Sequence, residues 1–267
     1  MDRRPIGVFD SGVGGLTVLR EIMKIVPNEN ILYFGDTARV PYGPRDLGEV
    51  KKFVFKIVSF LYEKQVKLIV IACNTSTAAA LSDLKVKFDI PVIGVIEPGA
   101  RASVRATKNK KVGVIATRGT VESKAYDNEI AKIDSSIRVY SQPAPLLVDY
   151  IENGILKGKK LKETIRNYLL PLLAENIDAL ILGCTHFPLV EGQIADCCGS
   201  RVDVISSAVE TAKDVEEVLT GEKIAVGTNP KPERTFYETG GNSKFFEVGK
   251  MFLGEEIKEV VKINLGI

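Results

Sequence analysis

Histidine is almost missing from this chain. His186 is the single imidazole among 267 residues, which removes multi-histidine metal centres from consideration. The four cysteines, Cys73, Cys184, Cys197 and Cys198, contain no C-x-x-C pair to form a thiolate cage, so no metal site is expected. They are also too few for the disulfide framework of a secreted scaffold of this size. No apolar run approaches the ~18 residues a membrane-spanning helix needs. The opening MDRRPIGVFD passes directly into a strand-like segment, without the long apolar stretch of a signal peptide. A cytoplasmic protein with reduced thiols and no membrane attachment is the expectation. An excess of one charge is lacking too: 36 Lys and Arg face 34 Asp and Glu, a net charge of +2. The clusters KNKK (108–111) and KGKK (157–160) adjoin Asn or Gly, as solvated turns do, and nucleic-acid binding is not expected.

Apolar residues are plentiful, at 45% of the chain, enough for a substantial core. They are arranged as short runs, IGVF (6–9), ILYF (31–34), LIVIA (68–72), VIGV (92–95), VGVIA (112–116), IRVY (137–140), ALILG (179–183) and VDVI (202–205). Between them lie stretches such as GLTVLREIMKIV and LGEVKKFVFKIVSFLYEKQ, with apolar positions three and four apart. Strands apolar on both faces and separated by helices predict parallel sheets covered by helices. An internal repeat refines this. IGVFDSGVGG from Ile6 resembles VGVIATRGTV from Val112, an offset of 112 − 6 = 106. LIVIACNT from Leu68 resembles ALILGCTH from Ala179, an offset of 179 − 68 = 111. The expected fold is therefore α/β with two pseudo-symmetric domains, each a mostly parallel sheet flanked by helices, and an active site in the cleft between them. SSAVETAKDVEEVL (206–219) has no counterpart in the first half. It is expected to cross back and lead to the strand TFYET and the helix SKFFEVGKMFL. The first domain is then discontinuous, residues 1–97 and 208–267, and the second is 98–207.

The stretch DSGVGGLTVLREI follows a strand and opens a helix, with Asp36 21 residues after Gly15, which invites a dinucleotide-binding reading. Thr17 stands where the third glycine belongs, and the charge of Asp10 would face a pyrophosphate. The better expectation is that this helix N-terminus binds a small carboxylate through backbone N–H groups, with Asp10 and Ser11 reading another polar group.

Cys73 taken alone reads as a small buried hydrophobe. Paired with Cys184 at the end of an equivalent strand, it reads as a reagent, because parallel sheets gather chemistry at their carboxyl edge. The motifs FDSGVGGLTV, GDTARVPYG, ACNTSTA, GTVESKAY and LGCTHFPLV, in this order and spacing, resemble those of glutamate racemases, within the aspartate/glutamate racemase superfamily. The resemblance implies a cofactor-independent enzyme that interconverts L- and D-glutamate to supply bacterial peptidoglycan synthesis, usually as a homodimer. It implies that Cys73 and Cys184 are the acid/base catalysts. Asp10 matches an acidic position near the first thiol, His186 stands beside the second, and Glu152 matches a further acidic position near it. Ser11, Tyr42, Gly43, Asn74, Thr75 and Thr185 match substrate-binding positions, joined by Thr117 and Thr120. Cys197 and Cys198 match nothing functional and read as structural. Aspartate racemase, or another member of the superfamily, is the alternative, and GCTH at 183–186 favours glutamate.

The chemistry suits the residues. Racemisation removes a weakly acidic Cα proton from one face and returns a proton to the other, so one base on each face answers the geometry. A free thiol has a pKa of about 8.5 and can serve as either acid or base near neutrality once its neighbours tune it.

Overall fold

A computed structural model describes residues 2–241 and 243–266. The first sheet contains β1 (Ile6–Asp10), β2 (Ile31–Gly35), β3 (Leu68–Ile71) and β4 (Val92–Gly94), linked by α1 (Leu16–Ile25), α2 (Leu47–Glu63) and α3 (Asn74–Lys87). The chain leaves it through α4 (Ile96–Ala106). The second sheet contains β5 (Lys111–Ala116), β6 (Arg138–Pro143), β7 (Ala179–Gly183) and β8 (Asp203–Ile205). Its helices are α5 (Arg118–Glu122), α6 (Ala125–Ile133), α7 (Pro145–Glu152), α8 (Lys159–Ala174) and α9 (Glu191–Cys198). Then α10 (Ser207–Gly221) returns to the first half, where β9 (Arg234–Glu238), α11 (Ser243–Leu253) and β10 (Val261–Lys262) complete it.

All strand pairs are parallel, in the orders β10-β9-β2-β1-β3-β4 and β6-β5-β7-β8. The four-strand order β2-β1-β3-β4 of the first sheet reappears as β6-β5-β7-β8 in the second. The register repeats as well: Ile6 pairs with Leu68, and their repeat counterparts Val112 and Ala179 pair with each other. The internal repeat in the sequence is thus a repeat of topology and register.

Alternation along the strands divides the core by sheet face. Val8, Tyr33 and Val70 pack with α1 and α10 residues such as Leu19 and Val215, whereas Phe9, Phe34 and Ile71 pack with Val54 and Ile57 of α2. In the second half, Leu180 and Leu182 meet Ile165 and Leu169 of α8, while Val112 and Ile181 meet Ala100 of α4 and Tyr126 of α6. Burial on both faces explains why these strands read as continuous apolar runs. At the margins the pattern fails. Strand β6 continues through Ser141, Gln142 and Pro143, beyond the apolar run that ends at Tyr140, because an edge strand is only half-buried and tolerates polar residues. The exposed two-residue β10, within the short run VVKINL (260–265), was not expected.

Helix ends follow from local chemistry. The Asp46 carboxylate caps α2 by accepting from Gly48 N–H at 2.8 Å, and Thr117 Oγ1 caps α5 by accepting from Thr120 N–H at 3.4 Å. No helix among the described residues is long and apolar enough to cross a membrane.

Candidate active site

The carboxyl edges of both sheets face one small cavity. Cys73 follows β3 and precedes the first turn of α3, and Cys184 follows β7 directly. Both thiols line the cavity, together with Ser11, Tyr42, Gly43, Asn74, Thr75, Thr117, Thr185 and His186. Asp10, Glu152 and Thr120 stand just behind, each hydrogen-bonded to a lining residue. All thirteen residues singled out in the sequence are therefore brought together. Val40, Pro41 and Val148 complete the lining and were not anticipated. Cys197 and Cys198 lie far along the chain in α9, half-buried and unbridged.

The two thiols have different surroundings. Cys73 Sγ is 4.0 Å from Ser11 Oγ. Burial pushes its pKa from 9.0 up to about 12; the negative charge of Asp10 adds to this and Ser76 at the start of α3 opposes it. Cys184 Sγ lies 3.7 Å from His186 Nδ1, and His186 Nε2 is 2.5 Å from Glu152 Oε1. Burial works against a charge on His186, but hydrogen bonds with Cys184 and Glu152 and their negative charges more than offset it, raising the pKa well above 6.5. For Glu152, burial favours the neutral acid, yet the hydrogen bond and charge of His186, helped by Lys244 at 4.0 Å, bring its pKa below 4.5. One thiol thus sits among acceptors and hydroxyls, and the other opens onto a chain of ionisable groups.

Asp10 corrects the expectation for the glycine-rich loop. Its Oδ1 accepts from Gly12 N–H at 2.8 Å, and Gly15 N–H is a further donor to it, so the anion held by this loop is the protein's own carboxylate. Burial raises the pKa of Asp10, opposed by His186 and these donors. Its Oδ2 accepts from Thr185 Oγ1 at 3.1 Å, a bond from one half to the other. Thr17, the residue that breaks the dinucleotide pattern, donates its hydroxyl to Gly14 O at 2.8 Å, with Thr185 O a second acceptor at 3.2 Å. Asp36, the other element of that pattern, is bonded to Tyr42 and to Thr239.

Across the cleft, Thr75 Oγ1 and Thr117 Oγ1 are 2.9 Å apart and Thr117 Oγ1 and Thr120 Oγ1 3.0 Å, while Gly119 N–H donates to Gly43 O at 3.1 Å. One buried atom at the start of α3, Asn74 Nδ2, has no hydrogen-bond partner. Buried donors without partners are rare, and beside a polar cavity they point to a polar ligand.

Residues 6–215 match the Asp/Glu/hydantoin racemase family. The chain belongs to that family. It is 45% identical to the glutamate racemase of Corynebacterium diphtheriae over 98% of each chain. Its structure superposes on a glutamate racemase isoform of Bacillus anthracis with a TM-score of 0.96, at 43% identity and over 100% of both chains. It matches the Francisella tularensis glutamate racemase, solved in complex with D-glutamate, with a TM-score of 0.93 at 40% identity, covering 100% of this chain and 99% of that one.

The environment of Cys73 sets a pH expectation for this racemase fold. Because kcat/KM reports the free enzyme, a reaction in which Cys73 returned a proton would need its thiol, and a raised pKa keeps the thiol protonated as pH rises. The alkaline limb of that kcat/KM profile is expected well above the ordinary thiol value of about 8.5, because burial raises this thiol. A pH–rate series with a limb at or below pH 8 would contradict the placement of Cys73 in a buried, Asp10-facing site.

Proposed function

We propose that the chain interconverts L- and D-glutamate by a two-base reaction, Cys73 and Cys184 taking opposite faces of Cα. The observation that carries this reading is the placement of two thiols at equivalent ends of β3 and β7, lining one cavity. The relatives named glutamate racemase supply the substrate. The orphan donor of Asn74, with Ser11, Thr75 and Thr185, suits the carboxylates of a small dianion, and α3 directs its positive end at them.

Proton transfer follows from the surroundings of each thiol. Ionising Cys73 in the free protein costs about 4 kcal/mol beyond an ordinary thiol, the equivalent of moving a pKa from 9.0 to about 12. The substrate's α-ammonium group, drawn toward buried Asp10, supplies a positive charge that offsets part of this cost. On the other face, the chain from Cys184 through His186 to Glu152 can accept or deliver a proton without a net charge entering the cavity from solvent. In each direction one sulfur abstracts and the other donates. The proposed reaction uses no cofactor, as the resemblance to glutamate racemases implies.

We further propose the division 1–97 with 208–267, and 98–207. Its support is that Ala100 of α4 packs in the second core, while Ala208, Ala212 and Val215 of α10 pack in the first. A cytoplasmic homodimer that provides D-glutamate for peptidoglycan is the accompanying expectation.

The test is coupled detection of D-glutamate from L-glutamate with no added cofactor, alongside L-aspartate. A site built to pair a carboxylate at one reach leaves buried donors unpaired with a shorter substrate, so kcat/KM for aspartate should be lower by ~10⁴-fold or more. Comparable values would sink the glutamate assignment and leave a broader amino-acid racemase.

A further inference from the structure

Tyr126, in the first turn of α6, is a buried tyrosine that touches both catalytic strand ends without lining the cavity. Its hydroxyl donates to Asn74 Oδ1 at 2.7 Å, and Asn74 directly follows Cys73. Its ring lies against Gly183, which directly precedes Cys184: a Cβ on Gly183 would come within 3.1 Å of Tyr126 Cε2. On its other side, a Cβ on Gly99 of α4 would meet Tyr126 Cε1 and Oη at 3.3 Å. The ring is therefore clamped between two glycines, with only its hydroxyl reaching across the cleft. Burial also holds that hydroxyl firmly protonated, so it remains a donor.

The amide it holds is poised for a ligand. Asn74 lines the cavity, and its Nδ2 is buried without a hydrogen-bond partner while its Oδ1 is committed to Tyr126. An amide free to rotate could present either its oxygen or its nitrogen; with the oxygen anchored, only the donor is presented. A donor is what a carboxylate needs and what an ammonium group would reject.

We propose that Tyr126 is a positioning residue that fixes the Asn74 side chain as a carboxylate donor and ties the strand end carrying Cys73 to the one carrying Cys184. The assignment rests on the glutamate reaction proposed above. Tyr126 acts through Asn74 and does not itself meet the substrate.

The test is a double-mutant cycle read by steady-state kinetics on glutamate in both directions. Tyr126→Phe keeps the ring between Gly99 and Gly183 and removes only the hydroxyl. It should raise KM roughly tenfold, the scale of one lost buried hydrogen bond, with kcat changed less, since a ground-state binding contact is lost. In an Asn74→Ala background the same replacement should change KM by less than twofold, because its target is gone. A purely structural role would instead give equal effects in both backgrounds and a matching fall in Tm. Either equal effects, or a KM for Tyr126→Phe within twofold of the unaltered protein, would overturn the assignment. If the unaltered protein does not turn over glutamate, the functional reading fails and this assignment with it. Turnover with additive effects overturns this assignment alone.

Discussion

Alanine at Cys73 or at Cys184 is expected to lower racemisation in both directions by at least ~10²–10⁴-fold, the usual worth of one acid/base group. The expectation is symmetric because, in the reaction proposed above, each thiol is base in one direction and acid in the other. Loss of both should cost little more than loss of one, since residues that act as a unit are non-additive. Folding should survive: each side chain is small, and each sits at a strand end beside the cavity, so truncation opens little new space in the packed cores. Cys197→Ala and Cys198→Ala provide the comparison, since both side chains lie in α9, outside the cavity, and should leave the rate unchanged. A Cys184→Ala protein at near-normal rate would remove the second base from the mechanism.

Alanine at Gly14 should be nearly as damaging, although it adds a single methyl group. A Cβ there would stand 2.6 Å from His186 Nδ1, 2.6 Å from Thr185 Oγ1 and 2.9 Å from His186 Cε1. The imidazole cannot simply swing aside, because Nε2 is held by Glu152 and Nδ1 faces Cys184. Relief means displacing both the ring from Cys184 and the Thr185 hydroxyl from Asp10, or shifting the loop that carries Gly14. A misplacement of about 1 Å at reacting groups costs on the order of 10²-fold in rate. We expect kcat to fall by about that factor with the circular dichroism spectrum preserved. An unchanged kcat would show that the position of His186 next to Cys184 does not matter to proton transfer.

Gly14 also marks how far the sequence could be read. The central strands were legible because burial on both faces writes them as unbroken branched residues, as in β3 and β7. The repeat then paired Cys73 with Cys184 before any coordinates were needed, since strand, register and thiol recur together. The glycine-rich loop was legible as a tight strand-to-helix turn, but not in its purpose. Nothing in DSGVGG tells that Gly12 and Gly15 turn inward onto Asp10, or that Gly14 is bare to admit an imidazole from the other half. Tyr126 stands in the motif GTVESKAY, but its role was not legible: Gly99 and Gly183 are distant from it along the chain, and Asn74 reaches it only from the other half. Local pattern reports burial and turns; it carries little about which loop from one half meets which from the other.

The central claim is that two sulfurs take opposite faces of Cα, and the source of the returned proton tests it most directly. With L-glutamate in D2O, D-glutamate formed in the first turnovers should carry deuterium at Cα, because the donating thiol has exchanged with solvent before substrate binds. The remaining L-glutamate should stay largely protiated, as its own proton departs to the other thiol. Mass spectrometry of the separated enantiomers reads both quantities. D-glutamate that retains mostly the substrate's own hydrogen would mean one base serving both faces, and would contradict the account.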